Sequence, residues 1–156
     1  MLSDTMIPKS IPTEQPLKMF REMLAHGSLF RLWAKMMHRR FSLLVLGETL
    51  KNHPVEASHF AGLKAVHIDH IQGTLNKAGE FDAEFNPTQN RSLSRWVGIA
   101  LEKLRGNDLP PVYLIQVDGI YYVRDGHHRI SVSRAMGQAF IDAEVTIMQL
   151  QQSLIR

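Results

Sequence analysis

The sequence predicts an α+β chain, and three observations carry that expectation. Residues 15 to about 50 place apolar side chains at helical spacing. Residues 109–123 hold two β-rich runs joined by Asp118-Gly119. A second Asp-Gly pair, Asp125-Gly126, turns a strand directly into a helix. The 156 residues suit one domain, or one domain with a helical appendage, and 44% hydrophobic against 21% charged residues argues against wholesale disorder.

In chain order, residues 1–14 carry Pro8, Pro12 and no period, which predicts a flexible lead-in. Residues 15–63 form the expected N-terminal helical extension. Leu17, Phe20, Met23 and Leu24 fall at helical spacing, Gly27-Ser28 reads as a break, and Leu29, Leu32, Trp33, Met36 and Met37 resume the period, so two helices are expected. Asn52-His53-Pro54 ends the pattern. Residues 64–150 form the second unit. In it, "AVHIDHI" (65–71) predicts a strand leading to a turn at Gly73, and "GEFDAEFNP" a loop anchored by Phe81 and Phe85. A helix then starts at an N-cap, Ser92 or Ser94, turns Trp96, Ile99, Ala100 and Leu104 inward, and stops at Gly106. "LPPVYLIQV" and "IYYV" around Asp118-Gly119 predict a hairpin with a type I′ turn. The last helix begins near His127, buries Ile130, Val132, Ala135 and Met136, and stops at Gly137.

Composition narrows the chemistry. With no cysteine, disulfides, thiolate zinc sites and a cysteine nucleophile are excluded. Eighteen Lys and Arg against fifteen Asp and Glu leave a net charge of +3, compatible with a nucleotide or nucleic-acid partner. Lys18, Arg21, Arg31, Lys35, Arg39 and Arg40 face the single acid Glu22. They read either as a surface for phosphates or an acidic partner, or as the solvated sides of amphipathic helices. Without a signal-peptide pattern or an apolar run of membrane-spanning length, the expected protein is cytoplasmic and makes no membrane contact.

The second Asp-Gly pair concentrates the functional signal. A strand-to-helix turn exposes backbone N–H groups at a helix start, where the macrodipole favours an anion. Gly126 leaves the backbone unobstructed, and Arg129 offers a planar fork. Asp125, Gly126, His127, His128 and Arg129 are therefore the candidate phosphate-binding residues. The competing reading makes Asp125 a helix cap, the histidines solvent-facing and Arg129 the partner of a nearby acid.

Residues 109–145, "LPPVYLIQVDGIYYVRDGHHRISVSRAMGQAFIDAEV", resemble the core of the ParB/sulfiredoxin superfamily. "VHIDHI" (66–71) looks like its opening strand, and "GTLNKAGEFDAEFNPTQNRSLSRW" resembles the connecting segment of small bacterial ParB-like nuclease-domain proteins. The resemblance implies an α+β fold with a small mixed sheet and packed helices, binding nucleotide or nucleic-acid phosphates through Gly126, His128 and Arg129. The position matching the sulfiredoxin catalytic cysteine is His127, so sulfinic-acid repair is ruled out. ParB partitioning proteins carry a Glu-Arg-Arg type turn and a following helix-turn-helix domain, for which too few residues follow the closing strand. Free-serine kinases resemble the chain in the Asp-Gly-His-His-Arg turn, which implies phosphoryl transfer to a small molecule.

Phosphoryl transfer needs an anion cradle, usually Mg²⁺, and a base or water-positioning group. Asp69, Glu80, Asp82 and Glu84 are the candidate bases, with Asp69 and Asp82 preferred, and His128 is the imidazole expected to face the site. Mg²⁺ would accompany a nucleoside phosphate through oxygen ligands. A dedicated metal site is not expected, since His67 and His70 on a strand would point to opposite faces. Phe81, Phe85, Trp96, Tyr121 and Tyr122 read as core residues or, alternatively, as a base-stacking platform. Two readings follow. One is a nucleotide-binding protein, an NTP hydrolase or small-molecule kinase if catalytic. The other is a DNA-binding regulator or nuclease gripping backbone phosphate. A homodimer is compatible with either.

Overall fold

A computed structural model describes residues 12–76 and 79–151, so most of the lead-in expected over 1–14 lies outside the described residues. The fold is α+β, with a six-stranded mixed sheet and four α-helices among the described residues. The helices are α1 (Glu14–Met36), α2 (Leu46–Leu50), α3 (Leu93–Leu104) and α4 (His127–Ala135). The strands are β1 (Leu44–Val45), β2 (Val55–His67), β3 (Ile71–Thr74), β4 (Val112–Val117), β5 (Ile120–Asp125) and β6 (Phe140–Leu150).

The strand order is β1-β3-β5-β4-β6-β2. β4 and β5 form the expected hairpin, registered Val117↔Ile120. Its two-residue turn places Asp118 at φ 49 and Gly119 at φ 81, the left-handed pair that a type I′ turn requires. After β5 the chain passes through α4 and returns as β6, parallel to β4. β3 lies parallel to β5, which places the end of β3 beside the end of β5 from which α4 departs.

Strand alternation splits the sheet's side chains between two cores. Val112, Leu114, Val123 and Val145 join Ile130 of α4 with Phe81 and Phe85, while Ile115, Val117 and Tyr122 pack on Leu46 of α2. A third cluster builds the helical layer. Phe20 of α1, Trp96 and Ala100 of α3 and Val132 of α4 are fully buried, with Phe20 edge-on to Trp96 at 5.6 Å and Trp96 Nε1 donating to Ser131 Oγ at 2.9 Å. Trp96, Phe81, Phe85 and Tyr122 are thus core residues; none presents a stacking face to solvent.

Several local expectations change. Gly27-Ser28 does not break the first helix; α1 runs through it. A Cβ on Gly27 would lie 2.7 Å from Asn86 Cβ and 3.0 Å from Asp82 Oδ2, so this glycine admits the 81–87 loop against the helix rather than ending it. The helical pattern toward Leu50 resolves into β1 and the short α2, and β2 starts ten residues before the expected strand at 65. Ser92 makes no cap to α3. Its hydroxyl donates instead to Glu80 Oε1 at 3.1 Å.

Candidate functional site

α4 begins immediately after the end of β5. Gly126, its N-cap, has φ 111 and no side chain to cap the first turn. A Cβ there would meet Val112 Cγ1 at 2.5 Å, so both conformation and space require glycine. Beside the largely buried first turn of α4 lies a shallow recess of about 20 Å³, lined by Asp125 through Arg129 together with Arg95 and Ile99 of α3. Arg95 is exposed and was not among the residues singled out from the sequence. It reaches this place only because α3 packs on α4 through Trp96, a tertiary fact with no local signature.

The two histidines are both buried, at 1% and 5% exposure. His127 stacks on Phe81 (6.2 Å, 16°) and its Nε2 lies 2.8 Å from Thr74 Oγ1, at the end of β3. His128 meets the same Phe81 edge-on at 5.1 Å and sets Nε2 3.4 Å from Glu80 Oε1. Ser92 in turn fixes Glu80. The result is a chain Ser92–Glu80–His128 whose ends are buried and whose middle, Glu80, is half-buried, with the His127–Thr74 pair as a second contact of the same turn. Phe81 contacts both imidazoles.

Arg129 is committed within the fold. One terminal nitrogen donates to the carbonyls of Pro110 (2.8 Å) and Pro111 (2.6 Å), the other to Asp125 Oδ2 (2.7 Å). It ties the β5–α4 turn to the start of β4. Asp125 does not cap the helix; it pairs with Arg129 and leaves its side chain 56% exposed. Arg129 also lines a larger cleft of about 220 Å³, shared with Lys103, Asp108, Pro110, Gln138 and Asp142.

The structure separates the preferred acids from this turn. Asp69 accepts from Arg134 at 2.9 Å, near the other end of α4, roughly 10 Å along the axis from His127. Asp82 is buried under α1. Its Oδ1 accepts from the backbone N–H of Glu84 (2.9 Å) and Asn86 (3.0 Å), and its Oδ2 from Arg31 (3.2 Å). Burial raises the Asp82 carboxyl above its ordinary value of 3.8, against the opposing pull of Asn86, the Glu84 amide and Arg31. Of the four acids weighed from the sequence, Glu80 is the one beside His128.

His67 and His70 come together, ring centroids 5.3 Å apart, because β2 ends at His67 and a 3₁₀ turn follows. Phe140 packs on His67. Among the described residues no group of three or more histidine or carboxylate side chains is arranged to hold a metal ion. No helix among them is long and apolar enough to cross a membrane.

No family model matches the chain, and no curated protein matches it. Among solved structures it is similar to the sulfiredoxin from Arabidopsis thaliana, with 17% identity and a TM-score of 0.43, covering 56% of this chain and 86% of that one.

Proposed function

We propose that the protein binds a nucleoside phosphate at the start of α4. The observation that carries this reading is the recess itself, where a helix start with a glycine N-cap and no side-chain cap meets the exposed guanidinium of Arg95. Backbone N–H groups and the helix dipole would supply the attraction, and the exposed Arg95 adds a bidentate partner. The recess is too small for a nucleoside, which would lie outside it; the cleft of about 220 Å³ that shares Arg129 with the recess has room to receive it. Mg²⁺ would arrive with the nucleotide; the carboxylate lining the recess is Asp125, whose Oδ2 is held by Arg129.

Hydrolysis or transfer of the phosphate is the finer form of this proposal. In that form His128, which lines the recess and has Nε2 3.4 Å from Glu80 Oε1, would take or return the proton, with Ser92 orienting Glu80. Asp69 and Asp82 are engaged elsewhere and have no part in this reading. A second reading keeps the recess but fills it with DNA backbone phosphate, favoured by two exposed arginines, Arg91 in the 3₁₀ turn before α3 and Arg95 in the first turn of α3.

Thermal unfolding with ATP, ADP, CTP, GTP and inorganic phosphate, each with and without Mg²⁺, tests the proposal. One nucleotide is expected to raise Tm in the wild type and not in Arg95→Ala, with a weak dependence on salt. No shift with any of them, or binding only of duplex DNA with a steep salt dependence, would favour the second reading.

A further inference from the structure

The second half of α1 is apolar on two opposite faces. Gly27 and Ala34 are buried toward the protein, in line with Phe20 of the first half, whereas Leu29, Leu32, Trp33 and Met36 are between 48% and 72% exposed. Their i, i+3, i+4, i+7 spacing aligns them in one stripe about two turns long, and Met37 just past the helix end is exposed as well. Single exposed apolar side chains are ordinary on a surface; four aligned on one helix face mark a contact.

Charge distinguishes the occupants. From Met23 to Gly47 the chain has no acidic residue. Arg31 is engaged by Asp82, and Arg40 by the carbonyls of Ser42 and Gln72. Lys35 and Arg39 border the stripe. Lys35 lies one turn beyond Leu32, and Arg39 stacks over the Trp33 ring at 5.7 Å. A second copy of the chain would bring a purely basic border against itself. A lipid surface would ask for a longer apolar face, whereas the first half of this one carries the Lys18–Glu22 ion pair. We propose that the stripe docks a short amphipathic helix of a partner protein, apolar on one face and acidic along the flank that meets Lys35 and Arg39. The apolar run has the i, i+3, i+4, i+7 spacing by which helix-in-groove recognition is anchored.

Trp33 reports on the proposal, because the other tryptophan, Trp96, is fully buried. The probes are a synthetic helical peptide with leucines at i, i+3, i+4 and i+7 and glutamates alongside, its lysine counterpart, and phosphatidylglycerol–phosphatidylcholine vesicles. The acidic peptide is expected to blue-shift Trp33 emission saturably, and the lysine peptide to bind at least about tenfold more weakly. Leu29→Ser with Met36→Ser should weaken the acidic peptide by roughly tenfold without lowering Tm, since both side chains are exposed. Lys35→Glu with Arg39→Glu should reverse the preference between peptides. Equal binding of both peptides, a shift with vesicles alone, or a shift that follows dimer formation in sedimentation would each overturn the proposal.

Discussion

Arg129 shows how a side chain singled out as a candidate phosphate ligand can have a different immediate task within the fold. Its fork holds two proline carbonyls and Asp125, so its removal disturbs the turn as well as any ligand. Arg95→Ala is the cleaner probe, because Arg95 is exposed and its side chain makes no hydrogen bond among the described residues. Asp82 offers a second residue-scale test. Its carboxyl is raised by burial, so the folded state holds the proton more tightly than the unfolded chain does. The stability this provides is present below the ordinary carboxylate range and is lost as pH rises through the raised value. Asp82→Asn removes that titration. Urea denaturation from about pH 4 to about pH 7 should therefore show the wild type losing stability relative to the variant as pH rises. A difference that is flat or grows with pH would contradict the assignment.

At the scale of elements, the β5–α4 junction is the critical construction. Gly126 combines a left-handed backbone with close approach to Val112, two reasons that independently exclude a side chain. Gly126→Ala should destabilise the protein by about 2–4 kcal/mol, from backbone strain and overpacking together. Equilibrium denaturation measures it, and a change below about 1 kcal/mol would mean that the junction relaxes freely. The same glycine type misled at Gly27. In the sequence it looks like a helix break, yet its function is to let the 81–87 loop approach α1, which depends on a contact 55 residues away in the chain. The Asp118-Gly119 hairpin was legible because its signal is wholly local. The Asp125-Gly126 turn was legible for the same reason.

Across the whole molecule, the order of elements from 109 onward follows from local pattern: hairpin, turn, helix, strand. What local pattern does not contain is which loop reaches the helix start. The acids preferred from the sequence, Asp69 and Asp82, are engaged at the far end of α4 and under α1. Glu80 comes to His128 because Phe81, the next residue, is buried against both imidazoles. Arg95 comes to the recess because Trp96 is buried between α1 and α4. In both cases an aromatic core residue, itself predicted as core or loop anchor, carries a polar neighbour into the site.

The central claim is that an anion binds the first turn of α4. Backbone amide chemical shifts, followed by NMR as inorganic phosphate and then the stabilising nucleotide are added, test it most directly. Saturable shifts clustered at Gly126, His127, His128 and Arg129, reduced in Arg95→Ala, are the predicted result. Shifts confined to the basic residues of α1, or none at the α4 start, would contradict it.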